Sequence, residues 1–387
     1  MKTLILSCST GEGHNSCAKA IKEYYDSKNE ICIIKDGLRF ISPAVSNVIS
    51  HGHTYIYRHA PYLFRYGYRY YETHSELFRD GSTLYKFFTH RTDKLYAYIC
   101  EEQFEAVICT HVFAALMLTE MLKLNPMKLT TCFVSTDYTC YPTVKDTSLD
   151  CYFIPSNELE ADFVRKFIPK EKIIASGIPV RQMFYRSETK EQAKSERGIA
   201  PDQNHLIMMC GSMGCGPMKN LLHDLSDHLP PDWDISVICG SNQKLRNSLQ
   251  RKYADKPAIH ILGFVSDMGT MMDSADLYLS KPGGISVTEA MVKALPVVFV
   301  DAVAGCEDHN RQHYNLKVGI EPSVNTNRIV DLCLTLMKDD AERNRLNETL
   351  RKLETMNSSK IIYDHLKKLT EDKYGTNRTQ KFSGAGC

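Results

Sequence analysis

A histidine lies near the start of the chain, between an apolar run and a helical pattern. The loop holds Gly11, Gly13 and His14, and Asn15 or Ser16 can cap the helix that follows. The positive end of a helix dipole disfavours imidazolium, so this position favours a neutral imidazole that can accept a proton. We therefore predict that His14 is a general base. A tight turn with a capping or solvated histidine is the alternative.

Two polar loops in the second half of the chain could bind parts of a ligand. Residues 210–217 contain three glycines between an apolar run and a helical pattern, so their backbone N–H groups can hold an anion. Residues 305–310 carry acidic, amide and imidazole groups that can bind sugar hydroxyls. An ordinary turn explains either loop when it is taken alone, and a surface turn is the alternative for Asp308 and His309.

The most specific pattern lies at residues 280–290, again between an apolar run and a helical pattern. Gly283 and Gly284 expose amides at a helix start, where a diphosphate can bind. Glu289 follows about one and a half turns into that helix. Its carboxylate can accept two hydrogen bonds from a ribose diol. The alternative is an acidic residue placed there only by the helix dipole.

Short apolar runs alternate with helical patterns, which indicates parallel sheets wound by βα units. The predicted strands lie at residues 3–8, 31–35, 106–110, 131–135, 151–155, 172–175, 205–211, 234–240, 258–262, 276–280 and 296–300. The fold class is therefore α/β, with two doubly wound parallel-sheet domains that face a cleft. We predict a first domain at 1–178, a second at 179–357 and a C-terminal helix in 358–387 that packs back on the first. Ligands are expected in loops that follow strands.

Composition excludes several classes of protein. The chain has 387 residues and a formal net charge of +1, so its bulk charge does not attract nucleic acid. Its 14 cysteines include no C-x-x-C pair, which favours reduced, buried thiols over a zinc or disulfide framework. The sequence shows neither a membrane-spanning run nor a signal peptide, so we expect a cytoplasmic protein.

Residues 51–98 form an aromatic-basic segment that contains ten of the 21 tyrosines. Aromatic rings settle at a lipid headgroup interface and arginines pair with anionic lipids, so we predict contact with a membrane. Pro61 makes one unbroken helix through the segment improbable. Tyrosine-rich core helices are one alternative, and RNA stacking is a weaker one because no RNA-binding motif accompanies it. The predicted membrane and acceptor residues are Tyr55, Arg58, Tyr62, Phe64, Arg65 and Arg69.

Together these loops resemble the GT-B diacylglycerol glycosyltransferases of glycosyltransferase family 28. That group includes the monogalactosyldiacylglycerol synthases and the processive diacylglycerol glucosyltransferases. Residues 10–14 resemble its Gly-Gly-His loop, residues 280–290 its Pro-Gly-Gly…Thr-Glu donor motif, and residues 305–310 its Gly-Gln-Glu-x-x-Asn sugar loop. Residues 177–181 match its Gly-Ile-Pro-Val seam, and the aromatic-basic segment matches its lipid-facing region in position.

The resemblance implies an inverting enzyme that moves a hexose, glucose or galactose, from a UDP-sugar to diacylglycerol or a glycosyl-diacylglycerol. It implies peripheral association with the anionic inner face of the cell membrane. His14 becomes the base, and no metal or cofactor is expected because the predicted donor loops offer backbone amides and Lys281 in place of metal-binding carboxylates. The expected donor-binding residues are Gly11, Gly13, Gly211, Ser212, Met213, Gly214, Phe264, Val265, Lys281, Pro282, Gly283, Gly284, Thr288, Glu289, Glu307 and Asn310.

The sequence departs from the family pattern at two places. Cys306 stands where the family often has glutamine, and Tyr141 and Val144 replace a histidine and a tryptophan after a Thr-Asp-aromatic motif. The way in which this chain binds the acceptor can therefore differ from that of the family. The alternative functions are transfer of N-acetylglucosamine to another lipid, a nucleotide-sugar 2-epimerase, or a non-enzymatic sensor of lipid or nucleotide.

Overall fold

The structure is a computed structural model that divides into two compact units. It describes residues 1–211, 214, 217–300, 305–320, 325–353 and 355–375. Within these ranges, only the backbone is described at residues 53, 54, 57–59, 61, 64 and 75. Unit 1 is Met1–Arg181 together with the segment that begins at Met356, and unit 2 is Gln182–Thr355.

In its described residues, unit 1 has a sheet of six parallel strands, each followed by helical or turn structure. The strands are β1 (Thr3–Ser7), β2 (Cys32–Asp36), β3 (Ala106–Cys109), β4 (Thr130–Val134), β5 (Cys151–Ile154) and β6 (Ile173–Ala175). The helices are α1 (Glu12–Ser27), α2 (Leu38–Ile41), α3 (Pro43–His59), α4 (Pro61–Thr73), α5 (Thr83–Phe88), α6 (Thr92–Glu102), α7 (Val112–Leu124) and α8 (Glu160–Arg165).

The described residues of unit 2 repeat this plan with five parallel strands. The strands are β7 (Asn204–Met209), β8 (Trp233–Ile238), β9 (Ile259–Leu262), β10 (Leu277–Ser280) and β11 (Val297–Phe299). The helices are α9 (Lys190–Glu196), α10 (Met218–Asp227), α11 (Gln243–Lys252), α12 (Met268–Asp273), α13 (Gly284–Val292), α14 (Cys306–Val318), α15 (Thr326–Lys338) and α16 (Asp340–Lys352). Short 3₁₀ turns lie at Ser75–Phe78, Pro142–Asp146, Asn157–Leu159, Lys170–Lys172 and Gln182–Phe184.

All of the predicted strands are present, with ends that shift by at most two residues. The predicted helix caps at Asn15 and Ser16 are wrong. Helix α1 already begins at Glu12, with Gly11 as its N-cap, and Asn15 Oδ1 instead accepts a hydrogen bond from Ser7 Oγ at 2.8 Å. His14 therefore lies inside the first turn of α1. The predicted break at Pro61 is confirmed, because α3 ends at His59 and α4 begins at Pro61.

Strand order decides which loops are neighbours in each unit. The order in unit 1 is β2-β1-β3-β4-β5-β6, so β3 lies between β1 and β4. The order in unit 2 is β11-β10-β7-β8-β9, which places β7 beside β10. Parallel strands end at one edge of their sheet, and the winding direction reverses beside β1 and beside β7. Ligands of doubly wound sheets bind at such reversal points.

Helix α17 (Ser358–Tyr374) belongs to unit 1, although unit 2 precedes it in the chain. It packs against α1 and β4 and buries Ile362 and Leu366. Thr370 Oγ1 donates to Thr130 Oγ1 at 2.9 Å, and Lys373 Nζ pairs with an Asp150 carboxylate oxygen at 2.6 Å. None of the described helices is long and apolar enough to span a bilayer.

Candidate active site

Three adjacent strands of unit 1 end at a single cluster of polar side chains. His14 follows β1, Thr110 follows β3, and Thr136 and Asp137 follow β4. Thr110, Thr136 and Asp137 are buried, whereas His14 is partly buried. The cluster lies where the winding of the sheet reverses, which is the expected place for a ligand site.

Two hydrogen bonds hold the imidazole of His14. Its Nδ1 lies 2.8 Å from the Thr110 carbonyl oxygen and 3.0 Å from Thr136 Oγ1. A carbonyl oxygen can only accept, so Nδ1 of His14 carries the proton and donates it. In this tautomer of the neutral ring the lone pair lies on Nε2, which is the atom that can accept a proton from a substrate.

The surroundings of His14 keep the ring neutral. Burial lowers the pKa of His14 from its usual value, and this effect outweighs the nearby Asp137 carboxylate and the hydrogen bond to Thr110, which both raise the pKa. Desolvation disfavours the charged form of a histidine. His14 is therefore a neutral imidazole at physiological pH, as a general base requires.

Tyr141 occupies the position where the family pattern has a histidine, and it turns toward the same cluster. Its hydroxyl donates a hydrogen bond to an Asp137 carboxylate oxygen. The Ser135 hydroxyl in turn donates to the Asp137 carbonyl oxygen at 3.1 Å. These contacts hold the loop after β4, so the departure from the family pattern leaves a well-braced carboxylate beside His14.

His111 is a site residue that the sequence analysis missed. It directly follows Thr110, it is 9% exposed, and its ring centroid lies 4.5 Å from that of His14. The available signal was a histidine between an apolar strand and a helical pattern. That is the same signal that singled out His14.

Gly214 in unit 2 is a glycine because the chain passes close to another loop. It has a φ of +54°, and a Cβ on it would lie 2.4 Å from the Cys239 carbonyl oxygen. Asn242 Nδ2 donates to the Gly214 carbonyl oxygen at 3.1 Å and fixes this approach. Gly211 also has a positive φ, of +72°, which a side chain would strain. The predicted contacts Ser212 and Met213 lie outside the described residues.

The donor motif lies beside this loop, since β10 neighbours β7. Helix α13 begins at Gly284 with Gly283 as its N-cap, so the amides of its first turn open onto the edge of the sheet. The Gly283 N–H, which was predicted to bind a diphosphate, instead donates to the Lys281 carbonyl oxygen at 2.9 Å. Lys281 is buried with 6% exposure at the end of β10. Thr288 Oγ1 donates to the Gly284 carbonyl oxygen at 2.8 Å, so this hydroxyl helps to hold the first turn of α13.

Asn310 of the predicted sugar loop is fully buried and braces the donor motif from α14. Its Nδ2 donates to the Pro282 carbonyl oxygen at 3.0 Å. Gly305, the N-cap of α14, has a φ of +52°, which favours glycine at this turn. The contact from Asn310 to Pro282 joins the two loops and gives Asn310 a positioning role. Glu307 lies in the first turn of α14 and is partly exposed.

Glu289 is partly exposed on α13 and lies close to the buried Tyr278 of β10. Burial is the main cause that raises the pKa of Tyr278, and the negative charge of Glu289 adds to it. Farther along the sheet, Phe264 is 76% exposed and Val265 is partly exposed, both after β9. The exposed Phe264 ring is open to stack on a base.

Residues 14–180 match the family described as Monogalactosyldiacylglycerol (MGDG) synthase. Residues 220–353 match the family described as Glycosyl transferases group 1. A processive diacylglycerol beta-glucosyltransferase of Staphylococcus epidermidis is 24% identical and covers 94% of this chain and 90% of its own. The protein of the same name from Bacillus subtilis is 24% identical and covers 96% of each chain. This chain is a glycosyltransferase.

Solved structures agree with the fold of this glycosyltransferase. MurG from Acinetobacter baumannii has a TM-score of 0.61 at 15% identity, over 95% of this chain and 100% of its own. A UDP-GlcNAc 2-epimerase from Neisseria meningitidis, bound to UDP-GlcNAc, has a TM-score of 0.59 at 15% identity and equal coverage. Such low identities bear on the fold alone. The predicted GT-B fold is confirmed, and so is the predicted resemblance to diacylglycerol glycosyltransferases.

The aromatic-basic segment of this glycosyltransferase presents a row of rings to solvent. Tyr62, Tyr66 and Tyr70 follow one another at intervals of four residues along α4 and are 77%, 69% and 44% exposed. Tyr55 of α3 is 65% exposed. The alternative of a tyrosine-rich core helix holds for Tyr71, whose Oη shares a hydrogen bond with Thr143 Oγ1 at 2.7 Å. The side chains of Arg58 and Phe64 lie outside the described residues.

Proposed function

We propose that this glycosyltransferase moves a hexose from a UDP-sugar to diacylglycerol or a glycosyl-diacylglycerol, with inversion at the anomeric carbon. The observation that carries the proposal is the tautomer of His14, which leaves the Nε2 lone pair able to take a proton. The names of the relatives, processive diacylglycerol beta-glucosyltransferases, support the lipid acceptor. They also favour glucose over galactose as the sugar.

In the proposed reaction, the acceptor oxygen forms a bond to the anomeric carbon while its proton passes to His14 Nε2. The bond from the anomeric carbon to the diphosphate oxygen breaks, and UDP leaves with the electron pair. The amide of Gly284 at the start of α13, together with Lys281, stabilises the charge that develops on the diphosphate. Attack opposite the leaving group turns an α-linked donor into a β-glycoside.

The proposal is tested by incubating the protein with diacylglycerol vesicles and one radiolabelled UDP-sugar at a time, followed by separation of the lipids. We expect label in a monohexosyl lipid, and in longer products if transfer repeats. If UDP-N-acetylglucosamine is the only donor that gives labelled lipid, the transferred sugar is an N-acetylhexosamine and not a hexose. An epimerised sugar nucleotide without labelled lipid would overturn the transferase assignment.

Activity should survive EDTA, because we propose that backbone amides and Lys281, rather than a metal ion, stabilise the diphosphate. The described residues contain no group of three or more His, Cys, Asp or Glu side chains placed to hold a metal. The measurement is the initial rate with and without EDTA in large excess over any divalent ion. Complete loss of rate that magnesium or manganese restores would contradict this prediction.

We propose that the protein works at the cytoplasmic face of the cell membrane, held there by the exposed rings of α4 and by nearby arginines. Arg65 and Arg69 lie on the same helix, Arg69 exposed and Arg65 partly so. Each basic residue near an anionic surface contributes about 1 kcal/mol, a contribution that salt screens over about 8–10 Å. The acceptor is itself a membrane lipid, so this placement brings the site to its substrate.

Replacing Arg65 and Arg69 with serine should therefore weaken binding to vesicles that contain anionic lipid by about tenfold or more. Sedimentation with vesicles at low and at physiological salt measures this. The matched control replaces Arg251 and Lys252, two exposed basic residues of α11 in unit 2, and should bind like the parent protein. Equal loss in both variants would mean that only net charge matters, and no loss would place the segment away from the membrane.

A further inference from the structure

Arg246 lies near the start of α11, at the edge of the unit 2 sheet where its strands end. Its guanidinium lies over Gly263, the residue after β9: a Cβ on Gly263 would be 3.3 Å from Arg246 Nη1 and 3.6 Å from its Cζ. Burial raises the pKa of the Cys239 thiol, after β8, to about 11, and the positive charge of Arg246 opposes that rise. The guanidinium is therefore close to the loops that follow both β8 and β9.

The side chain of Arg246 has no hydrogen-bond or ion-pair partner among the residues that the structure describes. The residue is partly exposed, and its Nε is buried without a hydrogen bond. Arg343 of the same unit, by contrast, donates from Nη1 to the Met337 carbonyl oxygen at 2.8 Å. A guanidinium has five N–H donors and no acceptor, and a charged donor that is held away from water without a partner costs free energy. Arg246 is thus ready to bind an acceptor oxygen of a ligand.

Strand order indicates which part of a UDP-sugar would reach Arg246. In the order β10-β7-β8-β9, β9 lies three strand spacings, about 14 Å, from β10. The proposed contacts of the diphosphate and ribose, Lys281 and Glu289, both follow β10. A nucleotide that extends from there along the edge carries its base toward β8 and β9. Phe264, next to Gly263, is 76% exposed and offers a ring on which a base can stack.

We propose that Arg246 donates a hydrogen bond to O4 of the uracil base and so selects uridine nucleotides. This inference rests on the proposed function and names the side chain that recognises the base of the donor. O4 is an acceptor at the end of the base away from the ribose, whereas cytosine carries an amino group there. The N–H groups of that amino group would face those of the guanidinium. Arginine at this position therefore favours uracil and disfavours cytosine.

Arg246→Met keeps an unbranched stem over Gly263 and removes every donor. We expect this variant to melt like the parent protein, to bind UDP about 10- to 100-fold more weakly and to bind CDP nearly as the parent does. The ratio of the UDP and CDP affinities should shrink by the same factor. Arg251→Met removes the same charge from the exposed end of α11 and should leave both affinities unchanged. Calorimetric titration measures all four changes, and Arg246→Leu is a second variant should methionine disturb the fold.

Uridine and pyrophosphate, used as competitors of UDP, separate contact with the base from contact with the phosphates. Arg246→Met should weaken uridine and leave pyrophosphate unchanged. Weaker pyrophosphate binding, alone or equally with uridine, would overturn the inference, and so would an unchanged ratio of UDP to CDP affinity.

These titrations need no sugar transfer, so they keep this inference apart from the proposed function. A parent protein that does not bind UDP removes the proposed function itself. A parent protein that binds UDP and makes glycolipid, beside an Arg246→Met variant with the same nucleotide preference, removes only the role of Arg246.

Discussion

His14→Ala should lower kcat by about 10²- to 10⁴-fold and leave UDP affinity nearly intact, because it removes the proposed general base. The residue lies in unit 1, whereas the donor loops belong to unit 2. The side chain is partly buried and lies in the first turn of α1, so its loss opens little core. Steady-state rates and UDP titration on one preparation make the comparison.

The pH profile of the parent protein supplies a second readout for His14. Nε2 of His14 must be unprotonated to accept the hydroxyl proton, so the rate should fall as the pH drops through the pKa of His14. Burial lowers that pKa from the usual 6.5, so this acidic limb should lie below pH 6.5. The limb should be missing from the residual activity of His14→Ala.

His223→Ala, which removes an exposed histidine of unit 2, is the matched control and should behave like the parent protein. Loss of UDP binding together with the rate would make His14 a donor ligand or a structural residue. If neither property changes, the base lies elsewhere, and Asp137 becomes the next candidate.

Glu289→Ala should raise the KM for the sugar nucleotide strongly, with a smaller effect on kcat. The proposed carboxylate accepts two hydrogen bonds from the ribose diol, and each hydrogen bond to a charged group contributes about 1.5–3 kcal/mol. Loss of both corresponds to at least about a hundredfold change in affinity. The measurements are donor KM and the dissociation constant of UDP.

A dideoxy analogue of UDP tests whether Glu289 acts through the ribose. The 2′,3′-dideoxy nucleotide should bind the parent protein about as weakly as UDP binds the variant, and Glu289→Ala should weaken it little further. Glu348→Ala, an exposed glutamate on α16 of the same unit, is the control. An unchanged donor KM in Glu289→Ala would remove this residue from the site.

The sequence alone predicted the fold class, the order of elements and the loops that matter. Strands buried on both faces appear as continuous apolar runs, and the polar, glycine-rich loops after them stand out by contrast. His14 and the start of α13 were found in this way. These features depend on residues close together in the chain, so local pattern is enough to reveal them.

Contacts between segments that are distant in the chain could not be predicted from the local sequence pattern. Asn310 was expected to touch the sugar, yet in the structure its amide is buried and holds Pro282, 28 residues earlier in the chain. Gly214 was expected at an anion site. The structure adds a packing reason for glycine at this position, because a side chain would collide with the Cys239 carbonyl oxygen in the loop after the next strand. Neither partner is visible in the local sequence.

The proposed chemistry of the site shows the same division. The sequence placed a histidine at a helix start, but the carbonyl of Thr110, 96 residues away, decides which nitrogen of His14 holds the proton. The side-by-side strands β1 and β3 bring His111 against it. Residue type and local pattern therefore determined which groups could act. Only the tertiary structure decided their tautomers and neighbours, because a hydrogen bond depends on atoms that the order of strands brings together.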